Sequence, residues 1–87
     1  MNTFEKHLLK LAYGNFRKNG SSYTEFQVRN SDEILYYSDA IEYLEEDEHV
    51  IIHSNDLASN SIVISSNGLW ICYELSDSGL SIAREQP

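Results

Sequence analysis

The chain has 87 residues, 41% of them hydrophobic and 23% charged, and a formal net charge of −8. That length allows one domain with one modest core, and the composition excludes a disordered tail. The longest apolar stretch, Leu69 to Tyr73, falls far short of the ~20 residues a membrane span requires. Residues 1–15 lack the apolar run of a secretory signal, and the one cysteine, Cys72, has no partner for an internal disulfide. Together these predict a cytoplasmic protein without a membrane anchor.

The first element expected is a helix. Thr3 is the candidate N-cap, and Phe4, Leu8, Leu11, Ala12 and Phe16 recur at helical spacing. Arg17 and Lys18 fall near its end, where cations complement the negative pole of the helix dipole. Gly14 lies inside the pattern and weakens it by ~1 kcal/mol relative to alanine. Asn19-Gly20-Ser21-Ser22 breaks the helix, and the alternation from Tyr23 to Val28 predicts a short strand.

Asn30 to Glu48 reads as helical. Ile34, Tyr37, Ile41 and Leu44 form one stripe if the helix is continuous, yet Asn30 with Glu33 and Asp39 with Glu42 are two capping-box patterns. The second pattern, beside Tyr36-Tyr37-Ser38, favours a short helix, a turn and a further helix over Asp39–Glu48. Val50 to His53 is then a strand ended by Ser54-Asn55-Asp56. Ser61 to Ser65 and Leu69 to Leu75 follow as strands joined through Ser66-Asn67-Gly68, where Asn-Gly is a strong hairpin signal. Ser76 or Asp77 caps a last helix carrying Leu80, Ile82 and Ala83. Helices ahead of a small antiparallel sheet predict an α+β domain covering residues 1–87.

Charge is unevenly spread along this order. Residues 1–30 hold five cations (Lys6, Lys10, Arg17, Lys18, Arg29) against two carboxylates, a net +3. Residues 31–87 hold Arg84 against twelve carboxylates, a net −11. Eight acids without a base occupy residues 32–48: Asp32, Glu33, Asp39, Glu42, Glu45, Glu46, Asp47 and Glu48. A polyanion approaching that stretch is repelled, whereas a basic partner is attracted.

Two stretches carry a resemblance. Ser38 to Glu46 followed by Val50-Ile51-Ile52 is similar to the third helix of a winged helix-turn-helix domain running into its first wing strand. Tyr73 to Ala83 resembles the strand-to-helix ending of PadR-like and MarR-like regulators and of small YjcQ-like winged-helix proteins. The resemblance implies three N-terminal helices, a small antiparallel sheet with a hairpin wing, a short C-terminal helix and a possible DNA-binding role. In such domains the third helix enters the major groove and the wing touches backbone or minor groove. The matching segment here, Asp39–Glu48, has six acids and no Lys or Arg, and residues 54–68 have no basic residue. Asn55, Asn60 and Asn67 offer hydrogen bonds but no charge, so phosphate attraction is lacking in that pose.

Chemistry-bearing residues are sparse. His49 and His53 would share a metal on a helix, but placed at a helix end and along a strand they stand up to ~13 Å apart. No further ligand is spaced to join them, so no metal site is expected. Cys72 has no base placed beside it, no nucleophile motif accompanies the serines, and no glycine-rich phosphate loop is present. The expectation is therefore a non-enzymatic domain with no cofactor. In the leading reading it binds a protein, either a second copy or a basic partner. Glu42, Glu45, Glu46 and Glu48 would steer, while Tyr43 and an outward Trp70 anchor. A second reading is a DNA-binding regulator that contacts phosphate through Lys6, Lys10, Arg17, Lys18 and Arg29. A third is an acidic nucleic-acid mimic that blocks another protein.

Overall fold

Asn2, one residue earlier than the sequence suggests, starts the first helix. Its Oδ1 accepts the Glu5 N–H at 2.8 Å while the Glu5 carboxylate accepts the Asn2 N–H at 3.5 Å. The position three residues after Thr3 is a lysine, which leaves Thr3 unable to close the same box. Helix α1 spans Thr3–Asn19 and ends on the left-handed Gly20, whose N–H reaches the Phe16 carbonyl at 2.8 Å. The computed structural model describes residues 1–53, 62–65 and 68–86. The strand-ending Ser54-Asn55-Asp56, Asn60, Ser61 and the turn residues Ser66 and Asn67 lie outside them.

Strand β1 spans Thr24–Val28 and α2 spans Ser31–Glu46. The break expected near Tyr36-Tyr37-Ser38 is absent, so two helices precede most of the sheet rather than three. Tyr37, Ser38, Ala40, Ile41 and Leu44 are buried along one continuous side. Burying that whole stripe in a single core outweighs the local hydrogen bonds a cap at Asp39 would gain. Asn30 does cap, its Oδ1 accepting the Asp32 N–H at 2.9 Å.

Three further strands follow, β2 at Val50–Ile52, β3 at Ile62–Ser65 and β4 at Gly68–Leu75, before helix α3 at Asp77–Glu85. All pairing is antiparallel and centred on β4. β1 covers one edge from Thr24↔Tyr73 to Val28↔Leu69. The other edge is shared end to end by β3, with Ser65 opposite Gly68, and β2, with Val50 opposite Leu75. The molecule is thus α+β, with three helices and a sheet three strands wide among the described residues.

Alternation along β4 sends Leu69, Ile71, Tyr73 and Leu75 into the core. There they meet Leu8, Leu9 and Ala12 of α1, Ala40, Ile41 and Leu44 of α2, and Ala83 of α3. The helices therefore lie on one face of the sheet. The Tyr73 hydroxyl donates to the Leu8 carbonyl at 2.6 Å, so the phenol tip is satisfied inside the core. Burial, with the neighbouring Tyr37 as a lesser cause, pushes the Tyr73 phenol well above its ordinary range.

Two glycines admit no side chain. Gly68 has φ 107°, and a Cβ there would collide with the Val28 carbonyl oxygen on β1. A Cβ on Gly79 would collide with the His49 carbonyl oxygen. That second approach joins the N-terminus of α3 to the segment linking α2 to β2.

Candidate functional site

The outward side of α2 is built by simple helical spacing. With Tyr37, Ile41 and Leu44 turned into the core, Asp32, Leu35, Tyr36, Asp39, Glu42, Tyr43 and Glu46 fall on the opposite side. Leu35 is 70% exposed, Tyr36 59% and Tyr43 56%. A surface helix ordinarily turns apolar groups inward, so three large side chains standing in solvent among carboxylates are unusual for this face. Tyr36 is stacked on Phe4 of α1, with ring centroids 5.1 Å apart. Tyr43 borders a shallow depression with Met1, Glu5 and Asp47.

The C-terminal end of α2 carries its charge against the local field. Its last turn is acidic with no base, and Asp47 and Glu48 follow directly. Each carboxylate near the negative pole of a helix costs ~0.3–1 kcal/mol. The chain leaves through a Schellman arrangement. His49 N–H donates to the Leu44 carbonyl at 2.9 Å and Glu48 N–H to the Glu45 carbonyl at 2.9 Å. Glu48 occupies its left-handed position with φ 64°, a place usually held by glycine.

The structure brings Glu42, Tyr43 and Glu46 together on one face with Asp39 and Asp47. Glu45, one turn from Ile41, sits on the flank of that face, and Glu48 lies past its end; both are exposed. Trp70 does not join them. It alternates with Leu69 and Ile71, which places it on the side of the sheet away from α2, half-buried and paired in register with Gln27. Cys72 shares that outer face and is buried. Glu74, also on it, meets the His53 Nε2 at 3.0 Å.

The cations of the second reading divide. Lys6, Lys10 and Arg17 share one exposed stripe of α1, with Lys18 at its edge. Arg29 follows β1, whose five residues carry it to the far end of that strand from the Asn15–Thr24 contact of 2.9 Å near Arg17 and Lys18.

Three features of the structure escaped the sequence reading. Leu35 is among them, although its place on the Asp32–Asp39 side of a continuous α2 would have revealed it. Another is the packing of Tyr37, whose hydroxyl lies 2.6 Å from His7 Nδ1 and whose phenol is pushed up by burial and then by Glu33. The third is Gly14, where nothing lies within 4 Å of an added Cβ. Gly14, Arg17 and Lys18 line a shallow depression on α1.

Chemically, the α2 face offers carboxylates and phenol rings, the groups that pair with ammonium and guanidinium ions. Among the described residues no group of three or more His, Cys, Asp or Glu is placed to hold a metal ion. No helix among them is long and apolar enough to cross a membrane. Comparison with protein-family models, curated proteins and solved structures finds no match to this chain.

Proposed function

We propose that this is a non-enzymatic interaction domain whose α2 face binds a cationic protein surface. The observation that carries this reading is the acidic run at the negative end of α2, beside an exposed Tyr43. Such an arrangement lowers the stability of the helix it sits on, and breaches of local rules without structural gain concentrate at functional sites. A docked lysine or arginine would relieve the repulsion and stack on the Tyr43 ring. Tyr43 is the anchor in this reading; Trp70, across the sheet, is not. A basic nucleic-acid-binding protein is one partner of that kind.

The fold reading that goes with it is a winged helix whose second and third helices are fused into α2. Its support is the connection α1–β1–α2 followed by β2, β3 and β4, with β1 against one edge of the last strand and the intervening strands against the other. Such a fusion removes the helix-turn-helix, and with it the usual means of entering the major groove.

The test is an amide-resolved titration of the whole chain with a helical peptide bearing lysines at i, i+4 and i+7. Shifts confined to residues 35–48 that fade as salt rises support the reading. Shifts elsewhere, or none at low salt, overturn it.

A second reading rests on the exposed stripe of Lys6, Lys10 and Arg17, which supports phosphate contact through α1. Titration with duplex DNA at low salt separates the two, because the stripe and the α2 face report on different amides.

A further inference from the structure

We propose that the cationic surface which docks on α2 is α1 of a second copy of this chain. The inference rests on the reading of α2 as a cation-binding face and supplies its occupant.

The argument is one of matching spacing. On α1 the outward side carries Lys10, Gly14, Arg17 and Lys18, with Tyr13 at its border packed against the core; on α2 and its cap it carries Asp39, Tyr43, Glu46 and Asp47, with Glu42 beside them. The two sets share the same intervals, so a parallel alignment sets Lys10, Gly14 and Arg17 opposite Asp39, Tyr43 and Glu46 at once. Lys10 then pairs with Asp39 and Arg17 with Glu46, while Lys18, on the flank of the contact, lies on the side of Glu42. Between these charge pairs, Tyr43 stands opposite Gly14.

That central pair has the shape a helix contact needs. Tyr43 is 56% exposed and projects from α2. Gly14 has no side chain and open space above it, and its depression is rimmed by Arg17 and Lys18. Helices approach to ~8–10 Å when a large residue of one enters a gap on the other. A glycine in the middle of a helix costs ~1 kcal/mol, and here it leaves the gap. An antiparallel alignment fits less well, because setting Lys10 on Glu46 and Arg17 on Asp39 puts Tyr43 against Tyr13 and Lys18 against the buried Ser38.

The charges are also available. Among the described residues, none of Lys10, Arg17, Lys18, Asp39, Glu46 or Asp47 is in an ion pair, the recorded pair being His53 with Glu74. Each copy therefore presents one cationic and one anionic helix face, both facing away from the sheet.

Sedimentation equilibrium at low salt tests this with two charge reversals, Arg17→Glu and Glu46→Arg. The wild-type chain is expected to show a mass above the 10.0 kDa of one copy, decreasing toward it as salt rises. Each reversal alone should weaken association at least ~10-fold by facing like charges. An equimolar mixture of the two variants should associate again, since every Arg17–Glu46 contact is then of opposite sign; misfolding of either variant would prevent that recovery. Gly14→Leu, which fills the gap without touching a charge, should also weaken association. A wild-type chain that stays monomeric at low salt, or variants that associate as the wild type does, would overturn the inference. If α2 still responds to the lysine peptide in that monomer, the cation-binding reading stands and only the choice of occupant fails.

Discussion

The Glu48 carbonyl oxygen accepts a hydrogen bond from Ser76 Oγ at 2.6 Å, and Ser76 Oγ in turn accepts the Gly79 N–H at 3.1 Å. The residue that closes α2 is thereby tied to the residue that caps α3. Ser78 reinforces the link, its hydroxyl lying 3.1 Å from the same carbonyl and 2.9 Å from His49 Nδ1. The end of the acidic helix is held in place by the fold although its charges oppose it.

Glu48→Gly should stabilise the domain by up to ~1 kcal/mol, because a left-handed backbone costs a side-chain-bearing residue ~1–2 kcal/mol and glycine returns part of that as entropy. The hydrogen bond to Ser76 uses the backbone and survives the change. Urea denaturation checks it through a higher midpoint with an unchanged slope.

Gly79→Ala should destabilise by ~1–3 kcal/mol, since the new methyl meets a backbone carbonyl that cannot move without shifting β2. Gly68→Ala should do so as well, and there the positive φ adds strain. Thermal melts of both variants against Gly14→Ala make the comparison, because Gly14 has room for a methyl and should gain helix stability.

Tyr73→Phe should cost ~0.5–1.5 kcal/mol by removing the hydroxyl bond to Leu8. It should also change the alkaline behaviour. The folded pKa of Tyr73 lies above the unfolded value of 10.0, so its contribution is complete below about pH 10 and is lost as pH rises towards the folded value. Tyr37 acts with the same sign. Stability measured from neutral pH upward should fall above about pH 10 in the wild type and fall less steeply in the Phe variant.

Much of the fold is legible in short-range pattern. The alternation of Leu69, Ile71, Tyr73 and Leu75 identifies both β4 and its buried face, and Ser76 followed by Leu80 and Ala83 identifies α3. What escapes is decided by distant residues. β1 is visible as an alternation, but its partner β4 lies more than forty residues on, and nothing local to Thr24 names Tyr73 as its neighbour. Asp39 and Glu42 have the local chemistry of a cap, which gives way to the burial of Tyr37 and Ile41 on either side of it. The acidic face of the candidate site is plain from charge alone. That Trp70 stands across the sheet from it follows only from the side of β4 on which α2 packs.

The account turns on carboxylates that weaken their own helix and serve a partner, and Glu46→Lys measures both sides of that claim. Calorimetric titration of the lysine-bearing peptide into wild type and variant, with a melt of each, is the direct test. The variant should be more stable by ~0.3–1 kcal/mol, as a cation now faces the negative end of α2, and should bind the peptide at least ~10-fold more weakly. Undiminished peptide binding, or a variant less stable than the wild type, would contradict it.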